Sequence, residues 1–371
     1  DVPIGVVDLN MDRYFGIGWM SPTALDEVAQ LFPEDNDLVT VPKWMREKVE
    51  RRESGQDQRA LQEYIDAQKK GPDGKPGREP SLGLHPLENP MYPSGGYNAV
   101  LHPLRGISFK AVLLQLGNDY PYIAYRDLEK NGTATETAEL DAAWQENYKI
   151  LKEGYRITAH TLPYVPADWR RISGNPALPI GLILPPASDL DVYAAHNREI
   201  RELHRRTARN HKGLGVILPG YENRPFSGQP ANDELLAERC RRWINGEVLG
   251  DRKVVSSGPI FERVDAGIGE ATIHFKAGTA VGLREEGTAL SCFEVAGADG
   301  GFVKAKAALQ GSTIRLKGEG FISAVRYNFR GQPVHGILND AGLPALPFNS
   351  DLNWTFRWIP PPQNPGLPEE Y

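Results

Sequence analysis

The stretch LPIGLILPPASDLDVYAAHNREIRELHRRTARNHKGLGVIL, residues 178–218, carries the pattern that decides the fold. Two short aliphatic runs, 178–184 and 214–218, flank a segment in which Ile200, Leu203 and Thr207 recur at helical spacing. Runs that are almost continuously apolar are typical of strands covered on both faces by helices. The stretch therefore predicts a strand, a helix and a second strand of a parallel sheet.

The same alternation extends in both directions along the chain. Aliphatic runs at 2–9 and 109–116 predict two further buried strands, and the periodicity of 140–153 and 233–245 predicts two further helices. Asn232 is the expected N-cap of the second of these helices. Together these elements predict an α/β domain with a parallel sheet over residues 1–250.

The helix at 198–209 is rich in arginine, and its arginines alternate with Glu199 and Glu202. Alternating charges of this kind are typical of a helix face that is exposed to solvent. We therefore expect this face to be solvated, with a phosphate-binding or partner-binding role as the less favoured interpretation.

Residues 33–97 interrupt the alternation of strands and helices. Their segment 43–70 is highly charged and is expected to be helical in part, and residues 71–77 form a loop rich in glycine and proline. This composition predicts a surface insertion and not a separate domain.

The periodicity changes after about residue 252. Apolar and polar residues alternate at 271–276, 303–307 and 325–329, with glycine between the runs. This pattern predicts a small antiparallel β domain over 252–350 with one face in solvent. Residues 351–371 form a proline-rich tail, expected to be extended or pinned to a neighbouring surface.

Composition excludes several classes of function. The 371 residues include 42 basic and 48 acidic side chains, so the net charge of −6 gives no electrostatic footprint for nucleic acid. No apolar run approaches the roughly 18 residues that a membrane span needs. The sequence contains neither a G-x-S-x-G motif nor a His/Cys spacing of metal sites, so we predict no metal and no cofactor. Cys240 and Cys292 allow at most one disulfide, and the sequence leaves their state open.

Several motifs occur in the order found in one family of enzymes. They are Val2-Pro-Ile-Gly-Val6, Trp19-Met-Ser21, Tyr97-Asn98, His102-Pro-Leu104, Ile200-Arg-Glu-Leu203, Gly258-Pro-Ile-Phe261, Gly282-Leu283, Phe293-Glu-Val-Ala-Gly-Ala-Asp299, Ala324-Val-Arg-Tyr327 and the closing stretch 338–351. On these motifs the chain resembles the sialate O-acetylesterases, carbohydrate esterases of the SGNH-hydrolase superfamily. The resemblance implies a three-layer α/β/α domain with a parallel sheet, followed by a small β domain. It also implies a secreted, periplasmic or cell-envelope location and a glycan as ligand.

The resemblance also implies where catalytic residues should lie, and this sequence departs from the family pattern there. The family's nucleophile motif, Gly-Gln-Ser-Asn, is not found in the 371 residues. The other positions that the family uses are occupied by Asp12, Arg13, Gly117, Asn118, Ser227 and Gln229. Gln229 stands where the family has its histidine base, and a carboxamide cannot accept the proton of a serine hydroxyl near neutral pH. Loss of a base and its orienting acid lowers the rate by about 10⁴-fold, so the chain is expected to be catalytically degenerate.

Two histidines remain as candidates for a relocated base. His196 lies near Asp189 and Asp191 in the sequence, and His102 precedes Pro-Leu at an expected loop. Ordinary structural use is the favoured interpretation for both, because acids near a helix start are common.

These observations predict a non-catalytic esterase homologue that serves as a scaffold, glycan-binding or structural subunit. We expect a companion chain to supply the N-terminal strand that normally bears the nucleophile. One alternative is an active carbohydrate O-acetylesterase, a serine hydrolase whose nucleophile lies on that companion chain. Another is a pure assembly protein that binds through the 198–209 face or the 354–358 segment.

Overall fold

The structure of the protein is a computed structural model. The described residues are 5–9, 16–31, 43–69, 94–115, 161–184, 191–219, 230–329 and 336–354. The chain divides into two units, residues 1–107 with 122–176, and residues 108–121 with 177–371. The predicted division into domains over 1–250 and 252–350 stays a prediction, as does the helix at 140–153, which lies outside the described residues.

Unit 1 is helical in its described part. A 3-10 turn at Gly16–Trp19 precedes α1 (Pro22–Leu31), and the later helices are α2 (Lys43–Glu53), α3 (Gln56–Lys69), a π-helical turn at Tyr97–Leu101 and α4 (Val165–Ile172). Helices α2 and α3 lie within the segment 43–70 that was predicted to be partly helical, and α3 has no buried side chain.

The start of α1 is fixed by a buried polar cluster. Ser21 caps the helix, since its Oγ accepts a hydrogen bond from the Ala24 N–H at 3.2 Å. The Asp168 carboxylate of α4 in turn accepts hydrogen bonds from the Ser21 N–H and Oγ, both at 2.7 Å. Arg171 pairs with the same carboxylate at 2.7 Å. Ser21 is therefore a structural residue that links the two helices.

Unit 2 begins with the parallel sheet that the sequence predicts. Its strands are β1 (Val112–Leu114), β2 (Ile180–Ile183) and β3 (Leu214–Ile217), in the order β1-β2-β3 with both pairs parallel. Helix α5 (Asp191–Asn210) connects β2 to β3, and α6 (Pro230–Trp243) follows β3. The mixed α/β class with a parallel sheet is thus confirmed.

Helix α6 packs tightly on this sheet. Trp243 and Cys240 are buried against Ile183 and Ile217. A side chain at Gly215 would bring its Cβ within 1.9 Å of the Trp243 Nε1, so the indole requires a glycine in the strand. The helix begins at Pro230, which suits a first helical position. Asn232 therefore lies inside the first turn, and the prediction that it is the N-cap is wrong.

Two further sequence predictions about this part of the chain are wrong. Residues 5–9 form no strand, and Val6 and Val7 are 83% and 52% exposed. A strand needs a neighbour to satisfy its backbone groups, and the described residues offer none to this run. The helix face at 198–209, expected to be solvated, is buried on all sides from Glu199 to Arg205. Helix α5 contacts both β3 and β13 (Phe348–Asn349), and Arg201 and Arg205 are buried, whereas Arg209 near the end of the helix is exposed.

The rest of unit 2 is built from antiparallel sheets. The strands are β4 (Phe261–Ala266), β5 (Ile268–Phe275), β6 (Arg284–Glu285), β7 (Phe293–Ala296), β8 (Phe302–Lys304), β9 (Lys306–Gln310), β10 (Thr313–Phe321), β11 (Ala324–Tyr327) and β12 (Ile337–Leu338). One sheet has the order β4-β5-β10-β9 and another β13-β11-β7-β8, while β12 pairs with β6.

The core of this β region confirms most of the predicted alternation. Ile273, Phe293, Ile314, Tyr327 and Phe348 are fully buried together. The alternation predicted across 303–307 fails, however, because the chain passes from one sheet to another at residue 305. As a result Val303 faces solvent.

Candidate functional site

The carboxyl-terminal edge of the parallel sheet is the candidate site. Strands β1, β2 and β3 end at Leu114, Ile183 and Ile217, and parallel strands end at the same edge. In open α/β sheets, ligands bind in the crevice beyond this edge. The connection after β1 begins at residue 115, and the connections after β2 and β3 are 184–190 and 218–229.

Most of the predicted site positions lie outside the described residues. They are Asp12, Arg13, Gly117, Asn118, Ser227 and Gln229. Their roles stay predictions.

The connection from β3 to α6 contains no histidine. Residues 218–229 read LPGYENRPFSGQ, and Pro230 then opens the helix. Glutamine and serine are neutral, so this connection offers no imidazole to deprotonate a serine. An imidazole base at this edge would have to come from another segment.

His196 lies in α5, whose first residue is Asp191. Residues three or four apart share a helix face, whereas positions five apart lie about 140° apart around the axis. Positions 191 and 196 therefore do not lie on the same face of α5. The pair stays a prediction.

His102 lies in unit 1, in a turn after the π-helical segment at Tyr97–Leu101. The residue is exposed, and its ring stands edge-on to the Tyr97 ring with the centroids 5.7 Å apart. Its backbone N–H donates to the Tyr97 carbonyl at 2.8 Å. These contacts explain its presence through local structure.

A buried ionic cluster that the sequence analysis missed holds α5 in place. The Glu202 carboxylate accepts hydrogen bonds from Arg205 Nε at 2.8 Å and from Arg206 Nε at 2.6 Å. It also accepts the backbone N–H of Asn349 at 3.1 Å. Arg206 Nη2 returns to the carbonyls of Asn349 and Asp351 at 3.1 and 2.6 Å. The cluster therefore joins α5 to the chain that follows β13.

Trp354 extends this cluster. Its indole N–H donates to Glu199 Oε2 at 2.9 Å, and the Arg206 guanidinium lies 4.6 Å from its ring centroid. The segment 351–354 is thus pinned to α5. The 354–358 segment had been considered as a binding surface, but its first residue is engaged within the chain and the rest lies outside the described residues.

His204 sits inside the same stretch of α5. Its Nδ1 lies 2.8 Å from the Ile200 carbonyl, and its Nε2 is buried without a hydrogen-bond partner. Burial lowers the pKa of His204 to about 4, partly offset by that backbone hydrogen bond. The imidazole is therefore neutral at physiological pH and serves as packing in the interior.

Asn339 performs a similar joining role in the closing motif of the chain. Its Nδ2 donates to the carbonyls of Ser257 and Thr279 at 3.0 and 3.1 Å, and its Oδ1 accepts from the Leu343 N–H at 3.0 Å. A Cβ on Gly258 would lie 2.0 Å from the Pro344 oxygen, so the loops meet too closely for a side chain. The motif holds loops together.

Three further observations on the described residues concern metal binding, the state of the cysteines and membrane-spanning helices. Among them, no group of histidine, cysteine and acidic side chains is placed to hold a metal ion. Cys240 and Cys292 are both free thiols. None of the helices in the described ranges combines the length and the apolar character that crossing a bilayer requires.

Comparison with known proteins supports the fold. No protein-family profile matches the sequence, and no curated protein matches it. The structure is similar to the crystal structure of a carbohydrate acetylesterase from Xanthomonas citri, with a TM-score of 0.54 at 21% sequence identity. The similarity covers 71% of this chain and 55% of the other chain, so this chain spans about half the length of that enzyme. The shared property is the fold of a carbohydrate acetylesterase.

Proposed function

We propose that this protein is a non-hydrolytic relative of the sialate O-acetylesterase-like SGNH hydrolases that acts as a scaffold or glycan-binding subunit. The observation that carries the proposal is the 218–229 connection, which leaves the carboxyl edge of β3 without a histidine. Because Gln229 replaces the expected base, the chemistry of ester hydrolysis lacks its proton acceptor. The similarity in fold to a carbohydrate acetylesterase supports the family and the glycan.

The distribution of retained motifs supports the same proposal. The Ile200-Arg-Glu-Leu203 and 338–351 motifs supply Glu202, Asn339 and Asn349, which form buried hydrogen bonds between distant segments. These residues preserve structure, whereas the sequence departs from the family at the positions expected to carry chemistry. A protein that keeps the residues of its structural hydrogen bonds but differs at the expected catalytic positions fits a role that needs the fold and not catalytic turnover.

An esterase assay tests the proposal. The protein purified from its source, together with any companion chain, is incubated with an acetylated glycan and with p-nitrophenyl acetate, and a fluorescent phosphonate probes for an activated serine on either chain. We expect neither turnover above buffer nor labelling. Turnover that the phosphonate abolishes would overturn the proposal in favour of an active O-acetylesterase, and the variants His102→Ala and His196→Ala would then show which imidazole is the base.

We further propose that a strand of a companion chain completes the parallel sheet beside β1. Within the described residues β1 pairs only with β2, and Leu113 is 40% exposed. Strands of parallel sheets are normally covered, and an uncovered edge offers unpaired backbone groups. Hydrogen exchange at Leu113 gives the test. The Val112 N–H already donates to the Pro179 carbonyl at 3.0 Å, so in this parallel pairing the amide of the next residue faces the open edge. The Leu113 amide should exchange fast in the isolated chain and slowly in protein purified from its source.

Native mass spectrometry of the source material completes that test. A stable second polypeptide in the assembly is the expected result. A lone chain whose Leu113 amide is already protected would contradict the companion strand. The proposed setting is secreted, periplasmic or at the cell envelope, where glycans of this class occur.

A further inference from the structure

One arginine of helix α6 reaches the carboxyl edge of the parallel sheet. The side chain of Arg239 is partly buried, and its Nη1 donates hydrogen bonds to the carbonyls of Leu218 and Pro219 at 3.2 and 2.8 Å. The nearby Arg241 pairs instead with Glu238 on the same helix. Arg239 is therefore an arginine of this helix that is directed at the end of β3.

The two acceptors are successive residues, and this fixes the direction in which the chain leaves the sheet. Ile217 still belongs to the sheet, because its carbonyl accepts the Leu184 N–H at 2.9 Å. In a strand, successive carbonyls point to opposite sides, whereas the carbonyls of Leu218 and Pro219 share one donor nitrogen. The backbone therefore departs from the strand at this point, and Arg239 holds the departing residues.

The side chain of Leu218 is held as well. It is buried with Leu184 and Leu346, in a cluster separate from the one through which α6 packs on the sheet. Leu346 lies in the closing motif, whose loops are tied together by the hydrogen bonds of Asn339. By contrast Gln115, which follows β1, is exposed. The end of β3 is thus fixed through both its side chain and its carbonyls.

A fixed backbone at this edge favours ligand binding. In open α/β sheets the ligand lies beyond the carboxyl ends of the strands. A site whose backbone is already ordered loses less conformational entropy when a ligand binds. The hydrogen bonds of a guanidinium are roughly twice as strong as those between neutral groups. Arg239 can therefore keep the end of β3 in one conformation before a ligand arrives.

We propose that Arg239 is a positioning residue of the candidate site. It acts through the backbone of Leu218 and Pro219, which it holds at the edge where a glycan would bind. The choice of a glycan as the ligand rests on the proposed function. Removal of the guanidinium should therefore weaken glycan binding although the groups that contact the glycan are unchanged.

Isothermal titration with O-acetylated N-acetylneuraminic acid tests this role, with each protein produced in its source and purified together with any companion chain. Arg239→Met keeps a long side chain without a donor and should bind about tenfold more weakly than the unchanged protein. Arg239→Lys keeps a cationic donor and should recover part of that loss. The matched control Arg241→Met removes the same charge from an exposed position of α6 and should change the affinity by less than about twofold.

The carbonyl carbon resonance of Leu218 reports the contact itself. Loss of a hydrogen bond to a carbonyl oxygen shields the carbon, so this resonance should move upfield in Arg239→Met and stay in place in Arg241→Met. Urea unfolding shows that each variant is folded under the conditions of the titration. A purely structural role of Arg239 would lower the urea midpoint and leave the affinity of the folded protein unchanged.

Four results would overturn the positioning role. They are an affinity of Arg239→Met equal to that of the unchanged protein, an equal loss in Arg241→Met, a loss that Arg239→Lys does not lessen, and a Leu218 resonance that stays in place in Arg239→Met. In each of them the unchanged protein still binds the glycan, so the proposed function is not refuted. No binding by the unchanged protein would refute the glycan and the positioning role together. Esterase turnover would refute only the non-hydrolytic role, and the comparison of affinities would still decide the role of Arg239.

Discussion

Two helices of unit 2 contain the same five-residue pattern, E-x-x-R-R, in opposite environments. Helix α5 has it at 202–206 and α6 at 238–242, and in both the glutamate pairs with arginines three and four residues later. The Glu202 and Arg205 side chains are 0% and 6% exposed, whereas those of Glu238 and Arg241 are 37% and 57% exposed. The same local geometry thus forms a buried ionic cluster in α5 and an exposed ion pair in α6.

The difference lies in what surrounds each helix. Helix α5 contacts β3 and β13, and Glu202 receives the Asn349 N–H in addition to its arginines. Helix α6 packs one face on the sheet through Cys240 and Trp243. In solvent, the hydrogen bonds of Arg241 and Arg242 lower the pKa of Glu238 to about 2. A charge pair of one sequence therefore has different energetic weight according to its solvent exposure.

The largest expected effect comes from removing the buried acid. Glu202→Gln leaves Arg205 and Arg206 without their carboxylate in the interior, and breaking a buried pair costs about 3–5 kcal/mol. The free energy of unfolding of the variant, measured with urea, should fall by that amount. Glu238→Gln is the matched control and should leave the midpoint nearly unchanged. Equal effects in the two variants would refute the comparison.

The third residue of the pattern also differs, being His204 in α5 and Cys240 in α6, and each should make the stability of the protein depend on pH. His204 binds no proton in the folded state until the pH falls to about 4, whereas the unfolded chain binds one near pH 6.5. Between these values the unfolded state holds more protons, so stability should fall by about 3 kcal/mol as the pH is lowered from 6.5 to 4. Below pH 4 this contribution is fully lost.

Urea unfolding of the unchanged protein and of His204→Gln between pH 4 and 8 measures this contribution. The difference between the two proteins should depend on pH only in that window. His211→Gln, at a partly exposed position of the same unit, is the control. A His204→Gln profile parallel to that of the unchanged protein would contradict the prediction.

Cys240 is the third residue of the E-x-x-R-R pattern in α6, as His204 is in α5. Its thiol should change the stability of the protein at high pH. Burial raises the pKa of its thiol from about 9 to about 11. The unfolded chain loses the proton first, so stability should fall between pH 9 and 11, on the order of 1–2 kcal/mol after allowance for partial solvation. The difference between Cys240→Ala and the unchanged protein, measured from pH 7 to 11, should show this slope. A pH-independent difference would be the contrary result.

The smallest effect concerns the outer edge of the α5 cluster. Trp354→Phe removes the indole hydrogen bond to Glu199 and keeps a ring beside Arg206. A lost hydrogen bond to a charged group at a partly buried position should lower stability by about 1 kcal/mol. Thermal unfolding can resolve this change, and Trp354→Ala, which also removes the ring, should cost more. Equal losses in the two variants would show that the ring contributes nothing.

Sequence patterns predicted the parallel sheet well because its signal is local. The aliphatic runs at 109–116, 178–184 and 214–218 contain β1, β2 and β3, and the glycine in β3 is explained by the Trp243 indole above it. The run at 2–9 has the same composition, yet residues 5–9 form no strand. Composition cannot show whether a pairing partner is present.

The candidate site was predicted less completely. The predicted runs end where the strands of the sheet end, whereas the role of Gln229, which precedes α6, stays a prediction. It missed the Glu202 cluster, because the alternating charges of α5 match a solvated helix as well as a buried one. The only local signal was the spacing of Glu202, Arg205 and Arg206, and α6 shows that this spacing does not specify burial.

By itself the sequence determined the type and order of the elements of the parallel sheet, β1, β2, α5, β3 and α6, since helical and strand periodicity depend on neighbours a few residues apart. Tertiary structure decided which of the charged residues are buried and link distant segments of the chain. Glu202 gains the Asn349 amide across 147 residues, and the dielectric around a side chain depends on such distant partners. A pattern of five residues fixes which charges can pair, and the packing of the whole unit fixes how strongly that pairing stabilises the fold.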